Sequence, residues 1–359
     1  MKILIINQAL GYGGAQKQAL VDANSLVELG HEVTMAYYQE GEFIEQLNEK
    51  IKCLKLISNS SIISGLQILI YLLFHKSDVV HTHQYWASKV GGIPGKLTGN
   101  RVIYNEHGLG KWRRWYHRVI IWFLSLFADK VITSCKLNSY LRNKLDRISE
   151  NKLMTLYNSF EIKHNGEEIR IPQKEKDTIW IGYVGRFNKV KQLEYIIKVA
   201  KRLKPIIKNV KFVLVGDGKE RQNIEKIIKN NSLDAEFIIT GFCKVPYYYY
   251  KTFDVFVLPS KIEGFSISLL EAGASGVPTV CFDVGGNKEI VQSQRTGFLI
   301  PPFNIDEMTS KILQLCSNKD LRLEYSKNAK EYITNNFSVE KRRKLLDKLY
   351  RDYNVKKVI

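Results

Sequence analysis

Short apolar runs alternate with longer amphipathic segments along most of the chain. The run KILIIN (2–7) is continuously apolar, as in a strand that is buried on both faces of a sheet. A glycine-rich turn, LGYGGAQ (10–16), follows it, and the amphipathic segment 16–29 predicts a helix that Gly30 terminates. This order of strand, turn and helix is typical of a parallel sheet.

The same order recurs until a polar stretch interrupts it. Four more strands are predicted in the first half, at HEVTMAYY (31–38), DVVHTHQ (78–84), RVIYNEHG (101–108) and DKVITSC (129–135). The segment EIKHNGEEIRIPQKEKD (161–177) has neither apolar runs nor a helical period. It therefore predicts a linker between two domains.

After the linker the alternation restarts, with a helix expected over 192–204. The predicted strands are TIWIGYVG (178–185), KFVLVGDG (211–218), EFIITGF (236–242), DVFVLPS (254–260) and PTVCFDVGG (278–286). We therefore predict an α/β protein with two Rossmann-like domains, facing each other across a cleft at the carboxyl ends of their strands. The expected division is 1–165, a linker at 166–177, 178–336, and a basic C-terminal helix at 337–359 that packs back on the first domain.

Composition and charge narrow the class of protein. Of the 359 residues, 45% are hydrophobic and 25% charged, which excludes disordered and fibrous classes, and the net charge of +18 indicates an anionic partner. The five cysteines are widely spaced without a metal-binding pattern, as expected for free thiols in a reducing compartment. The N-terminus resembles a strand rather than a signal peptide, and the apolar segments 62–74 and 119–128 are shorter than the roughly 20 residues that span a bilayer. We expect a cytoplasmic protein, either soluble or peripheral to a membrane.

Basic residues and glycines follow several predicted strands. Arg186 and Lys191 in GRFNKVK (185–191) would lie in a loop that can clamp two phosphate groups; surface charge is the alternative. GDG (216–218) ends a predicted strand, and the glycines of GYGGAQ (11–16) would let the backbone approach a phosphate or sugar closely. Neither motif matches the dinucleotide fingerprint GxGxxG, and a tight turn without a ligand remains the alternative.

A short helix is predicted within PSKIEGFSISLLEAGASGVP (259–278). Ser266 is the expected N-cap, and Gly276 is the expected left-handed terminator at the end of the helix. The free backbone N–H groups of the first turn, including those of Ile267 and Ser268, favour an anion such as a diphosphate.

Two glutamates flank the start of this helix. Glu263 precedes it, and Glu271 lies on its side next to apolar residues. A carboxylate can accept two hydrogen bonds from a vicinal diol, so both side chains are suited to sugar or ribose hydroxyls. Ordinary solvated charge is the alternative.

An ordered set of motifs over nearly the whole chain resembles the retaining glycosyltransferases of family 4, which have the GT-B fold. The motifs are GGAQ (13–16), NEHG (105–108), VGRFNKVK (184–191), VGDG (215–218), TGF (240–242), EGFSISLLEA (263–272), GVP (276–278), VGGNKEIV (284–291) and TGFLIPP (296–302). The resemblance implies a hexosyl- or N-acetylhexosaminyltransferase that uses a UDP- or GDP-sugar, retains the anomeric configuration and requires no metal or other cofactor.

The resemblance also implies a role for individual residues of the second domain. Arg186 and Lys191 would neutralise the donor diphosphate. Glu271 would bind the ribose hydroxyls, and Glu263 would bind the donor sugar near its anomeric carbon, as one of two catalytic residues. The donor would thus be held mostly by the second domain.

Further glycines and one histidine complete the implied donor site. Gly216 and Gly241 would lie beside the nucleotide. In the first domain, on the acceptor side, Gly13 and Gly14 would border the donor phosphates and sugar. His107, the second catalytic residue, would contact the transferred sugar across the cleft. A loop histidine with no role in catalysis is the alternative.

A basic and aromatic segment follows His107 in KWRRWYHRVIIWFLSLF (111–127). Basic residues beside interfacial aromatics are typical of helices that lie on an anionic membrane, and here they are Trp112, Arg113, Arg114 and Trp115. A helix of the protein core is the alternative for the apolar part. We therefore expect peripheral attachment to the inner face of the cell membrane and a glycan or lipid-linked oligosaccharide acceptor in polysaccharide biosynthesis.

Two other functions are compatible with part of the pattern. A sugar-nucleotide epimerase has the same two-domain fold and binds the nucleotide of its substrate in the same way, but it needs no acceptor. A nucleic-acid-binding protein would account for the net charge, yet it predicts a concentrated basic stripe or a helix-turn-helix, whereas the Lys and Arg residues are spread along the chain. We therefore expect no nucleic acid among the partners.

Overall fold

The chain forms two compact units in the computed structural model, which describes residues 1–110, 112–160 and 171–352. The first unit comprises Met1–Ser159 and Val339–Ile359, and the second comprises Phe160–Ser338. Lys111, the first ten residues of the polar stretch predicted as a linker (161–170) and the last residues of the predicted C-terminal segment (353–359) lie outside the described residues.

The first unit is built on a parallel sheet of seven strands. They are β1 Lys2–Ala9, β2 Glu32–Gln39, β3 Lys52–Lys55, β4 Val79–His83, β5 Arg101–Glu106, β6 Lys130–Thr133 and β7 Leu153–Thr155. Their order is β3-β2-β1-β4-β5-β6-β7, so the direction of winding reverses between β1 and β4. Every strand pair is parallel. An α-helix connects each strand to the next, except that β2 and β3 are joined by a loop with a short 3-10 turn at Ile44–Gln46.

Helices cover both faces of this sheet. They are α1 Gly14–Glu28, α2 Ser61–Phe74, α3 Gln84–Leu97, α4 Trp115–Phe127, α5 Lys136–Asp146 and α13 Val339–Arg351. One face carries α1 and α13, which pack on the side chains of Ile3 and Ile5. The other face, formed by Leu4, Ile6 and their neighbours, carries α2, α3 and α4.

Helix α3 lies very close to the sheet. A Cβ atom on Gly91 or Gly92 would overlap Ile6 or the hydroxyl of Tyr104, so glycine is the residue that permits this approach. Helices α2 and α4 pack on α3 from its two sides, and most of α3 is therefore buried.

The second unit has a parallel sheet of six strands. They are β8 Ile179–Val184, β9 Val210–Val215, β10 Phe237–Gly241, β11 Val255–Leu258, β12 Thr279–Phe282 and β13 Gly297–Ile300. Their order, β10-β9-β8-β11-β12-β13, again reverses between the first and fourth strands of the unit. The helices are α6 Glu194–Leu203, α7 Arg221–Asn230, α8 Tyr247–Tyr250, α9 Ile267–Ala274, α10 Asn287–Ile290, α11 Ile305–Ser317 and α12 Lys319–Phe337.

The ten strands that the sequence predicts are all present, and each of their ends lies within four residues of the predicted one. Three further strands, β3, β7 and β13, were not predicted. All three lie at an edge of their sheet. The strands β3 and β7 have no fully buried residue and therefore leave a weak pattern in the sequence, whereas β13 is mostly buried but only four residues long.

Candidate functional site

The loops after β8 and β11 lie side by side in the second unit, at the point where the strand order reverses. In an open parallel sheet, the connections after the two strands on either side of this reversal run to opposite faces of the sheet. The crevice between these connections is the usual ligand site. The backbone N–H of Lys261 donates to the carbonyl of Val190 at 2.8 Å, which fixes one loop against the other. The two loops carry three of the predicted donor-binding residues, Arg186, Lys191 and Glu263.

An ion pair connects these loops. The ammonium group of Lys191 lies 2.5 Å from a carboxylate oxygen of Glu263, and both side chains are largely buried. The side-chain oxygen of Asn188 accepts the backbone N–H of Lys191 and fixes the turn that aims the lysine. An ammonium group has three donors, so Lys191 can bind a phosphate oxygen while it remains paired with Glu263.

Arg186 is exposed at the carboxyl end of β8, in the same loop. Its carbonyl oxygen accepts a hydrogen bond from the hydroxyl of Tyr183 at 3.1 Å, which fixes the backbone below the guanidinium group. Burial, and then the negative charge of Glu263, raise the pKa of Tyr183 well above its ordinary value, so this tyrosine remains a neutral donor. The backbone of Arg186 is thus fixed, while its exposed guanidinium group can contact an anion.

Helix α9 begins and ends as the sequence predicts. The hydroxyl of Ser266 accepts the backbone N–H of Leu269 at 3.4 Å, and Gly276 follows the helix in the left-handed region, with φ of 74°. The backbone N–H groups of Ile267 and Ser268 belong to the first turn, where helices bind anions. These features confirm the predicted N-cap and terminator.

Glu271 is held by a residue that the sequence interpretation missed. The hydroxyl of Tyr250 donates to a carboxylate oxygen of Glu271 at 3.0 Å. Burial, and then the charge of Glu271, raise the pKa of Tyr250 well above its usual range. Tyr250 lies in the run YYYY (247–250), which contains four identical residues and therefore gives no signal as to which of them is functional.

Gly216 and Gly241 meet at the carboxyl ends of β9 and β10. Both have positive φ, 144° and 76°, and the N–H of Gly216 donates to the carbonyl of Gly241 at 2.9 Å. A Cβ atom on Gly216 would overlap the carbonyl oxygen of Gly185. The two glycines therefore let three loops converge at one edge of the sheet, beside the loop that carries Arg186.

In the first unit, Gly13 and Gly14 lie between β1 and α1. Gly14 is the first residue of α1, and Gly13 precedes it in an extended conformation, with φ of 170°. The backbone at Gly41 lies against this loop, and a Cβ atom on Gly41 would overlap the backbone of Gly11, so glycine permits this close approach. Both predicted glycines thus present backbone rather than side chains at the carboxyl end of β1.

His107 follows β5 and contacts a second histidine that the sequence analysis did not single out. Its Nε2 lies 3.0 Å from Nδ1 of His83, at the end of β4, and the two rings are stacked with centroids 5.2 Å apart. Burial, and then the positive charge of Arg342, lower the pKa of His107 to about 4. The imidazole is therefore neutral at physiological pH and can donate or accept a hydrogen bond without carrying charge.

Behind these rings lies a buried polar cluster. Asp22 pairs with Arg342 of α13 through two hydrogen bonds of 2.6 and 2.7 Å, and it lies 3.9 Å from Nε2 of His83. The hydroxyl of Tyr350, also in α13, lies 2.7 Å from Nδ1 of His81. Spacing along the chain gives no signal for this cluster, because α13 is more than 300 residues from α1.

The prediction that Arg113 faces a membrane is wrong. Its guanidinium group is buried and contacts Glu106 at 2.5 Å and Asp146 at 3.0 Å. Two more arginines, Arg118 and Arg142, contact the same aspartate. A buried arginine requires such partners, and the effect here is to fix the segment that follows His107.

The other three residues of the predicted membrane segment are exposed, and they are Trp112, Arg114 and Trp115. The apolar part that follows is the amphipathic helix α4, of which only Ile121, Leu124 and Ser125 are buried. No helix among the described residues is long and apolar enough to cross a membrane. Within the same residues, no group of three His, Cys, Asp or Glu side chains could hold a metal ion.

Two family models together match most of the chain. The model described as Glycosyltransferase Family 4 matches residues 12–162, and the one described as Glycosyl transferases group 1 matches residues 165–332. The two matches cover the first and second units in turn.

Individual relatives agree with these models. The chain is 26% identical to the UDP-Gal:alpha-D-GlcNAc-diphosphoundecaprenol alpha-1,3-galactosyltransferase of Escherichia coli, over 96% of this chain and 95% of the relative. It is 25% identical to the capsular polysaccharide biosynthesis glycosyltransferase CapM of Staphylococcus aureus, over 74% and 75% of the two chains.

Among solved structures, that of Anabaena HepE in complex with UDP-glucose superposes with a TM-score of 0.83 at 18% identity, over 97% of this chain and 99% of the other. This likeness confirms the predicted fold, two Rossmann-like α/β domains of the GT-B type. The two matching models and the full-length relatives agree, and the chain belongs to the group 1, family 4 glycosyltransferases.

Proposed function

We propose that the protein transfers a hexosyl or N-acetylhexosaminyl residue from a UDP- or GDP-sugar to a glycan acceptor during the synthesis of a cell-surface polysaccharide. The observation that carries this proposal is the Lys191–Glu263 ion pair, which lies in the loops at the point where the strand order of the second unit reverses. A cation, a carboxylate and the start of α9 are the groups that a sugar diphosphate requires. The relatives named above, a galactosyltransferase and a capsule glycosyltransferase, support it.

The donor diphosphate is bound by charges and backbone donors of the second unit. Arg186 and Lys191 neutralise it, and the first-turn N–H groups of Ile267 and Ser268 donate to its oxygens. These groups stabilise the negative charge that develops on the leaving diphosphate, so the proposed chemistry needs no metal ion as an electrophile.

The ends of the donor are bound by carboxylates and glycines. Glu271, oriented by Tyr250, accepts hydrogen bonds from the ribose hydroxyls, and Gly216 and Gly241 leave room for the nucleotide. Glu263 binds the donor sugar near its anomeric carbon. Its carboxylate, in contact with Lys191, can accept hydrogen bonds from sugar hydroxyls.

The first unit supplies the remaining contacts. Neutral His107 hydrogen-bonds to the transferred sugar, with its ring fixed by His83, and the backbone at Gly13 and Gly14 borders the donor phosphates and sugar. Transfer proceeds with retention of the anomeric configuration.

The acceptor in this proposal is a lipid-linked oligosaccharide, and the protein attaches peripherally to the inner face of the cell membrane. The E. coli relative is named for a diphosphoundecaprenol-linked acceptor, which supports this choice. Trp112, Arg114 and Trp115, exposed in the segment that follows His107, are the first candidates for membrane contact.

Donor binding provides the test. A panel of UDP- and GDP-hexoses is titrated against the protein, and at least one should raise its melting temperature, since a ligand of the native state stabilises it. Lys191→Met should lose about 100-fold or more in transfer rate, the range found when a group that stabilises a developing oxyanion is removed. Lys189→Met, an exposed lysine of the same turn, serves as the matched control and should transfer like the wild type.

Lys191→Met leaves Glu263 buried without its cation, so the double variant Lys191→Met/Glu263→Gln separates folding from function. It should recover stability and remain inactive. Wild-type activity in Lys191→Met would refute the assigned role, and failure of all UDP- and GDP-sugars to bind would refute the proposed function. Isomerisation of the sugar without an acceptor would identify an epimerase instead.

A further inference from the structure

Exposed apolar side chains concentrate on two helices of the first unit, α2 and α4. On α2, six of them are between 46% and 80% exposed: Ile62, Ile63, Leu66, Ile70, Leu73 and Phe74. On α4, seven are between 38% and 76% exposed: Trp115, Tyr116, Val119, Ile120, Trp122, Phe123 and Leu126. Thirteen large apolar side chains exposed on two helices are unusual for a monomeric soluble protein, and exposed apolar surface of this kind marks a site of interaction.

The two helices belong to one layer. Ile68 and Leu72 of α2 pack with Trp86 of α3, and Ile121 and Leu124 of α4 pack with other residues of α3. Both helices therefore flank α3 on the same face of the sheet, and their exposed sides point away from that sheet. We call the thirteen exposed apolar residues named above the α2/α4 face.

The chain around this face is basic and almost free of acidic residues. Between Glu49 and Asp129 only Asp78 and Glu106 are acidic. Glu106 is buried against Arg113, and Asp78 accepts a hydrogen bond from the backbone N–H of Lys2. Over the same span the lysines and arginines are Lys50, Lys52, Lys55, Lys76, Lys89, Lys96, Arg101, Lys111, Arg113, Arg114 and Arg118. A net positive charge beside apolar surface complements an anionic, amphipathic partner.

We propose that the α2/α4 face docks on an anionic lipid surface, with both helices lying in the interface. Lys76 lies two residues after the end of α2 and Arg114 directly precedes α4, so a cation lies near one end of each helix, where lipid phosphates would lie. The 14 residues of α2 and 13 of α4 extend roughly 20 Å, too short for a hydrocarbon core of about 30 Å, which favours helices in the plane of the membrane.

This proposal extends the expected membrane contact beyond the segment that sequence reasoning selected. Helix α2 contributes about half of the face, whereas Arg113 contributes nothing because it is buried. The benefit for transfer, bringing the first unit to a lipid-linked acceptor, rests on the function proposed above. The docking itself requires neither donor nor acceptor, so it can be tested separately.

Vesicle flotation of the full chain tests the docking. Wild-type protein should float with vesicles of phosphatidylcholine and phosphatidylglycerol, and less with phosphatidylcholine alone. Leu66→Gln/Ile70→Gln on α2 and Val119→Gln/Leu126→Gln on α4 should each weaken binding by about tenfold or more, since each removes two buried aliphatic groups from the lipid contact. Ile206→Gln/Leu323→Gln changes equally exposed residues of the second unit and should float like the wild type.

Charge and oligomeric state complete the experiment. Arg114→Glu should lower binding to the anionic vesicles and leave binding to neutral ones unchanged. The proposal is overturned if the wild type does not float, or if the α2 variant floats as well as the wild type. It is also overturned if size-exclusion chromatography shows a wild-type dimer that the α2 or α4 variant dissociates, because a second copy then covers the face. Flotation without binding of any UDP- or GDP-sugar would refute the proposed function and leave the docking intact.

Discussion

The two units have the same strand order, yet they place their polar groups differently at the point where that order reverses. In the second unit, Lys191 and Glu263 form an ion pair in the loops beyond the strands, beside an exposed arginine. In the first unit, Asp22 and Arg342 form an ion pair that is almost fully buried, behind a group of three histidines. The same fold thus carries an ion pair in the loops of a candidate ligand site in one unit and an ion pair in the protein interior in the other.

This difference indicates what each ion pair contributes. A buried pair contributes little net stability in itself, but removal of one partner leaves a charge in the interior at high cost. The second unit's pair is also largely buried, but it lies in loops where Lys191 can bind a ligand phosphate while it remains paired with Glu263. Changes in the first unit's pair should therefore affect stability alone, whereas changes in the second unit's pair should affect ligand binding as well.

The largest expected effect is on the stability of the first unit. Arg342→Ala should lower the free energy of unfolding by about 3–5 kcal/mol, because Asp22 is left buried and unpaired. The neighbouring Arg343 provides a matched control, since it pairs with Glu28 at the surface and Arg343→Ala should cost about 0.2–1 kcal/mol. Denaturant unfolding measures both. Equal losses of unfolding free energy in the two variants would contradict a larger cost for breaking the buried pair.

Acid should destabilise the first unit before the second. Burial lowers the pKa of His107 to about 4, that of His81 to about 3 and that of His83 well below its ordinary 6.5. Between pH 6.5 and pH 4 the unfolded chain therefore binds more protons than the native one, and stability falls as the pH falls. Each such histidine shifts the unfolding equilibrium by up to about tenfold per pH unit in this range.

Hydrogen exchange at pH 7 and pH 5 would resolve this effect by region. Amides of the first unit should lose protection at pH 5, whereas those of the second unit should change much less, because its described residues contain no histidine. Equal loss of protection in both units would contradict the assignment of the effect to the buried imidazoles.

The smallest expected effect concerns the start of α9. Ser266→Ala removes the side-chain acceptor of the Leu269 N–H and should cost about 1 kcal/mol in unfolding free energy. Ser266→Asn can restore the cap and should unfold like the wild type. Donor affinity should fall with Ser266→Ala if the first turn binds the diphosphate, and an unchanged affinity would argue against that role.

Local sequence patterns were sufficient to predict the central strands of both sheets and the loops that carry the candidate donor-binding residues. Central strands such as KILIIN are continuously apolar because both of their faces are covered, and the loops at their ends carry the candidate residues. The cap at Ser266 and the terminator at Gly276 are also local signals. Edge strands such as β3, with sequence KCLK, bury too little surface to show a pattern.

Contacts between distant residues could not be predicted from the sequence. Arg113 looked like a membrane residue because its neighbours are basic and aromatic, but Asp146, 33 positions later, folds back to pair with it. Helix α2 was judged only by its length. Its exposed face appears once the sheet shows which side of the helix is covered.

The return of the chain to the first unit has a consequence for biosynthesis. Residues 160–338 form a contiguous unit and can complete their fold as soon as they leave the ribosome. The first unit cannot, because Arg342 and Tyr350, which close its core over Asp22 and His81, are translated only after the whole second unit. The first unit is therefore begun before the second and completed after it, and a nascent chain arrested before Val339 would hold a complete second unit and an incomplete first one.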